Sequence, residues 1–180
     1  MPVTPPPETL AMSISAGLSP EDRFAIKDLL ARYGWALDTG DTEAFVACFA
    51  PDGVMVEEVF EDPDVWRGRD GIRRLAEHYR SIPNFPGRQH YCDNTLLARQ
   101  PGGAVHARSF AMVTECQGEP PYPLRFCGYY DDELVQLDGR WCFSRRTVRL
   151  WDGAVLERFP GRGAYVPRQR PPEFQLVNKS

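Results

Sequence analysis

Three side chains able to move protons stand out in this chain: Tyr33, Asp38 and His90. The first two lie in Tyr33-Gly-Trp-Ala-Leu-Asp-Thr-Gly-Asp41, which closes a helix-like segment. Asp38 falls in its last turn, at the negative end of the helix dipole. That is the wrong end for stability, and it makes the carboxylate a better proton acceptor. The same residue could equally cap a turn in solvent. His90 lies in Arg88-Gln-His-Tyr-Cys-Asp-Asn-Thr. At a period of two, His90, Cys92 and Asn94 share one face, while Tyr91, Asp93 and Thr95 share the other. A lone strand histidine is usually structural. Paired with Asp38, however, its tautomer would be fixed and its outer nitrogen left free as a general base. Tyr33 reads either as a core aromatic or as a phenol donating to an oxygen on which charge develops.

Other residues could orient a bound molecule. In Arg145-Arg-Thr-Val-Arg149 the alternation turns Arg146 away from Arg145 and Arg149, so Arg146 is the candidate for an inward-facing arginine. Tyr129 and Tyr130 point oppositely, so one of them can line a cavity, and Tyr129 is taken as that one. Asp131 and Asp132 split likewise, and either can pair an arginine across strands. Trp35 is either packing or a pocket border. The cluster Glu57, Glu58, Glu61, Asp62 and Asp64 is most simply a solvated strand end and loop. His78 and His106 read as outward-facing.

Composition removes several classes of function. A net charge of -4 argues against nucleic acid or an anionic membrane as the main partner. No apolar run approaches the roughly 18 residues that span a bilayer. The start, Met1-Pro-Val-Thr-Pro-Pro-Pro-Glu, lacks the basic and apolar regions of a signal peptide. Five cysteines without a C-x-x-C pair fit free thiols in a reducing cytoplasm. Three scattered histidines offer no metal-ligand spacing, and neither a phosphate loop nor a G-x-S-x-G elbow occurs. No cofactor or metal is therefore expected.

The elements that must position these residues are legible from periodicity. Residues 1–19 are Pro- and Ser-rich and read as a flexible arm. Ser19-Pro20-Glu21-Asp22 carries an N-cap, a first-position proline and first-turn acids, so a helix runs from about Pro20 to Asp38 and stops before Gly40. Its buried stripe is Phe24, Ile26, Leu29, Leu30, Tyr33 and Leu37. A short helix follows from Asp41, burying Phe45, Ala47, Cys48 and Phe49. Ala50-Pro51-Asp52-Gly53 reads as a turn, 54–60 as a strand, and Ile72, Leu75, Ala76 and Tyr79 as the inner face of a third helix. From Arg88 the period becomes two, giving strands over about 88–98, 104–117, 123–137 and 140–151, the last two joined by the Asp138-Gly139 hairpin signal. One domain over 20–153 follows, with a Pro/Arg-rich extension at 154–180. Helices first and long antiparallel strands after imply α+β, with a strongly curved sheet wrapped around the long first helix and a cavity between them.

Several segments together resemble the SnoaL-like group of the NTF2-like superfamily over about residues 20–150. They are Ile26 to Asp41; Phe45 with Cys48-Phe-Ala-Pro-Asp-Gly-Val; Trp66-Arg-Gly-Arg-Asp-Gly-Ile; His90 with Asn94; Gly128-Tyr-Tyr-Asp-Asp-Glu-Leu; Gly139-Arg-Trp; and Arg146. The resemblance implies a cone-shaped α+β barrel. Tyr-x4-Asp at the helix end plus a strand histidine is similar to the scytalone-dehydratase-like and bile-acid-7α-dehydratase-like enzymes. That likeness implies catalytic roles for Tyr33, Asp38 and His90 and a substrate-orienting role for Arg146. With Asn94, Trp35 and Tyr129 as further binding residues, the expectation is a cofactor-independent lyase of dehydratase type acting on a hydrophobic, ring-containing molecule. Isomerisation, cyclisation or retro-aldol cleavage, for example of lignin-derived diaryl compounds, would use the same proton chemistry. Non-catalytic binding, oligomerisation and service as an oxygenase small subunit stay open. The resemblance also implies a homo-oligomer, trimer or dimer.

Overall fold

The computed structural model describes residues 17–83, 85–151, 169, 170 and 172. The expected flexible arm lies outside them as far as residue 16, as does nearly all of the expected extension. Helix α1 (Pro20–Thr39) begins where its capping chemistry places it. Ser19 Oγ accepts the Asp22 N–H at 3.0 Å, and Trp141 Nε1–H donates to Asp22 Oδ1 at 2.9 Å, fixing this end to the sheet. The helix ends at Gly40, left-handed at φ 71°, whose N–H satisfies the last carbonyls. Asp41 then caps α2 (Thr42–Val46) by accepting the Ala44 N–H at 3.0 Å. Of the face expected for this second helix, Phe45, Cys48 and Phe49 are buried, whereas Ala47 is exposed.

Strand β1 (Phe49–Glu58) starts earlier than its apolar run. The Pro51-Asp52-Gly53 stretch is an irregularity inside the strand, with a register shift between Phe49 and Val54, not a separate turn. A short strand β2 (Asp64–Arg67), absent from the sequence reading, pairs back onto β1 and leads into α3 (Gly68–Ser81). The four long strands β3 (Arg88–Arg99), β4 (Val105–Glu115), β5 (Leu124–Leu137) and β6 (Arg140–Leu150) fall where period two puts them. Asp138 and Gly139, both at positive φ (49° and 75°), join β5 to β6.

The strongly curved, antiparallel barrel implied by the sequence is not what forms. The six strands make one open, mixed sheet in the order β2-β1-β6-β5-β4-β3. The terminal strands β2 and β3 do not pair, so the sheet is neither strongly curved nor closed. β1 runs parallel to β6, while every other neighbour is antiparallel. Alternation along a strand fixes its two faces but not its partner. The segments between β1 and β6 supply the long return that a parallel pair requires. Helix α1 packs against β3 and β6, and α3 against β1, β2 and α2. The core between them holds Ile26, Leu29, Phe45, Ile72, Leu75 and Phe143, all essentially without solvent contact.

Candidate functional site

A cavity of about 160 Å³ opens between α1, α3 and the sheet. Its lining follows from two periodicities. Tyr33 and Leu37 project from one stripe of α1, Met55 and Glu57 from one face of β1, and Val59 from just past its end. His90, Val113, Tyr130 and Val148 face it from β3 to β6, and Tyr79 and Phe85 from α3 and the loop after it. Most of these residues are aromatic or aliphatic, and Glu57, Arg88, His90 and Arg125 bring charged or titratable groups to the same wall. That is the usual make-up of a small-molecule pocket.

Asp38 and His90, separated by 52 positions, meet at the wall of this cavity. Asp38 Oδ2 accepts the His90 backbone N–H at 2.7 Å, and Oδ1 pairs with ring Nδ1. Because β3 is an edge strand, an N–H that no neighbouring strand takes is free for a side chain, and this carboxylate uses it. A carboxylate can only accept, so the network assigns the ring proton to Nδ1 and leaves Nε2 as an acceptor. Both side chains are largely buried, at 12% and 16% exposure, which keeps the pair from being diluted by water. Gly34, one turn before Asp38, stands where α1 approaches β3. A Cβ there would already lie 3.4 Å from the His90 carbonyl oxygen.

Tyr33 lies at the cavity base, buried among Phe45, Phe49, Tyr130 and Phe143. Burial pushes its hydroxyl far above the ordinary tyrosine value despite the nearby Arg146 charge, so it stays protonated and remains a donor. Arg146 is fully buried beneath it. Its Nε and Nη2 donate to Asp132 Oδ1 and Oδ2 at 2.9 and 2.8 Å, and its guanidinium stacks 4.0–4.1 Å from the Tyr33, Tyr130 and Phe143 rings. Burial opposes this charge, but Asp132 outweighs it and raises the Arg146 pKa. Arg146 thus supports the two tyrosines from below and does not line the cavity, where a substrate-orienting arginine would have to be.

Three residues expected at the pocket lie elsewhere. Trp35 is 74% exposed on the outer side of α1, because Tyr33 and Leu37 take the inward stripe. Asn94 is exposed at φ 51°, inside a bulge that shifts the β3–β4 register between Asp93 and Leu96. That extra residue breaks the alternation, so Asn94 leaves the His90 face and Thr95 turns inward to Ser109 at 3.0 Å. Tyr129 faces outward over Arg108 and against Trp151, and Tyr130 is the inward member of the pair. Asp131, on the outer face with it, binds His106, Arg108 and Arg149.

Glu57, set aside in the sequence as part of a solvated acidic run, is only 7% exposed and lines the cavity. It accepts the Tyr79 hydroxyl at Oε1 and Trp66 Nε1–H at Oε2, the latter at 3.1 Å. Burial pushes its carboxyl up to about 6, against the lowering effect of those two donors. Alternation alone does not single it out: period two puts Glu57 with Met55 and Val59, and Glu58 with Val54, Val56 and Phe60, so both faces are apolar and each carries one glutamate. Asp64, from the same run, is buried against Arg170 at 2.6 Å.

A mixed sheet flanked by helices, with an aromatic-lined cavity and an Asp–His pair at its wall, defines a recognisable class of small α+β protein. This chain belongs to the SnoaL-like family, whose domain model matches residues 19–147. It thereby falls in the NTF2-like superfamily. Among solved structures, a protein of unknown function from Mycobacterium tuberculosis is similar at 26% identity over 73% of this chain and 77% of its own, with a TM-score of 0.64. An NTF2-like protein with a cystatin-like fold from Novosphingobium aromaticivorans is also 26% identical, covering 74% and 84% of the two chains with a TM-score of 0.64. A provisionally named scytalone dehydratase from Novosphingobium aromaticivorans shares the fold at 24% identity, with 72% and 84% covered and a TM-score of 0.61. No curated protein matches. No helix among the described residues is long and apolar enough to cross a membrane.

Proposed function

We propose that this protein is a cofactor-independent lyase that eliminates water from a hydrophobic, ring-containing small molecule. The observation that carries this is the Asp38–His90 pair, held by two contacts at the wall of a cavity lined mostly by aromatic and aliphatic side chains. His90 Nε2 takes the proton from a carbon next to a carbonyl, and Asp38 holds the ring and stabilises the imidazolium that results. Tyr33, kept neutral by burial, donates to the carbonyl oxygen as negative charge moves onto it. The aromatic lining selects flat, apolar rings. Isomerisation, cyclisation or retro-aldol cleavage would begin with the same proton abstraction, and the outcome depends on what bond the resulting enolate can break.

The test uses a β-tetralone bearing a hydroxyl β to its carbonyl, whose dehydration gives a naphthol that is followed by absorbance. Wild-type protein is expected to accelerate naphthol formation over buffer, and His90→Ala and Asp38→Asn to lower that rate at least about 100-fold. Turnover that survives both substitutions sinks the assignment. Specific binding of the tetralone without any turnover would favour a ligand-binding role instead.

A further inference from the structure

Elimination moves two protons: one leaves carbon, and one must reach the departing hydroxyl. Asp38 and His90 account for the first. The cavity wall carries a second proton-carrying pair on different elements. Glu57 enters the cavity from β1, while Tyr79 and Trp66 reach it from α3 and β2, each binding one carboxylate oxygen. Each oxygen keeps one further lone-pair direction, so the group can still meet a ligand. The carboxyl gives the Tyr79 hydroxyl and the Trp66 Nε1–H an acceptor that an aliphatic side chain beside Met55 and Val59 would not, and its place in the cavity wall lets it meet a ligand as well. Among the described residues, Tyr33 on α1, Asp64 on β2 and Arg170, which pairs with Asp64, also act on Glu57, and Arg88 and His90 on β3 and Arg125 on β5 line the same cavity.

We infer that Glu57 is the general acid of the elimination, and that Tyr79 is a positioning residue that orients its carboxyl. This rests on the lyase function proposed above. In the step, the C–H electrons form the new C=C bond as His90 receives the proton. The C–O bond breaks toward oxygen, which takes the proton of Glu57 and leaves as water. His90 ends protonated and Glu57 ionised, and one proton passing between them through water restores both. Glu57 must therefore be protonated at the start, so dehydration falls as pH rises through about 6.

Two reactions separate the roles. Deuterium exchange at the carbon beside the carbonyl of unsubstituted β-tetralone needs only proton abstraction. Dehydration of the hydroxylated compound needs the acid as well. Glu57→Gln is expected to lower dehydration about 100-fold and exchange less than tenfold. Equal losses in both reactions, or none in either, overturn the assignment of Glu57. Absence of exchange in the wild-type protein overturns the Asp38–His90 proton abstraction itself, and the acid role falls with it. The Tyr79 hydroxyl favours ionised Glu57, so Tyr79→Phe should move the falling limb of dehydration to higher pH and leave the exchange profile in place. A limb that does not move overturns the role of Tyr79. Should Glu57→Gln fail to fold by circular dichroism, this limb shift decides for Glu57 as well.

Discussion

At the scale of single residues, the site consists of carboxylates placed where water is scarce. Asp38 gives each of its two oxygens to His90; in Asp38→Asn the amide keeps one acceptor but presents an N–H at the other, so the ring tautomer and the charge facing it are both lost. Turnover should fall about 100- to 10,000-fold, as for removal of a general base, and the rate of naphthol formation measures it. Glu57 makes a second, thermodynamic prediction. Its carboxyl is held above the ordinary glutamate value in the folded protein, at about 6. The corresponding stability is complete below the unfolded value and is lost as pH rises through the folded one. Urea unfolding at pH 4 and pH 8 should therefore show wild type losing about 2 kcal/mol relative to Glu57→Gln across that range. A constant difference between the two proteins at both pH values would contradict this.

At the scale of elements, the site depends on how closely α1 lies on β3. Gly34 faces that contact: a Cβ there would just touch the His90 carbonyl oxygen at 3.4 Å, so there is room for a methyl group and little beyond it. Gly34→Val forces branched carbons into this contact and should cost about 1–3 kcal/mol in denaturant unfolding. Because the same contact aligns Asp38 with His90, the variant should also lose the hydrogen-bonded Nδ1 proton resonance of His90 in NMR spectra. The β5–β6 pairing poses a different question. Asp132 and Arg146 face each other across these strands, both without solvent contact. Asp132→Ala leaves the guanidinium buried and unpaired beneath Tyr33, and about 3–5 kcal/mol of stability should be lost. A small loss would mean that the Tyr33, Tyr130 and Phe143 rings alone compensate the charge.

At the scale of the whole molecule, the open sheet leaves one broad face uncovered among the described residues. Register brings Tyr91 beside Met112 and Phe110 beside Tyr129, and Trp151 packs on Phe110 at 5.0 Å. Tyr91, Phe110, Met112 and Trp151 are each 44–51% exposed. A patch of this kind on a sheet is suited to a second copy of the chain. Phe110→Glu places a charge at its centre and should shift the sedimentation coefficient to that of a monomer. A wild-type protein that already sediments as a monomer would rule out this use of the face.

The sequence by itself determined the local order of the chain. Ser19, Pro20 and Gly40 bound α1 through backbone chemistry that needs no distant partner, and Asp138-Gly139 makes its hairpin for the same reason. Period-two alternation placed the four long strands, and the helix-end aspartate and strand histidine were visible as residue types. What alternation could not supply was strand order. Each strand's pattern is satisfied by any neighbour that covers its apolar face, so the open, mixed sheet had to come from the tertiary structure. A single bulge carried Asn94 off the histidine's face, and one helix stripe, already filled by Tyr33 and Leu37, turned Trp35 outward. The burial of Glu57 was decided at the same level. A carboxylate in an acidic run is solvated unless other elements close over it, and here Tyr79 from α3 and Trp66 from β2 do so. Burial is a property of where distant segments meet, which no local pattern records.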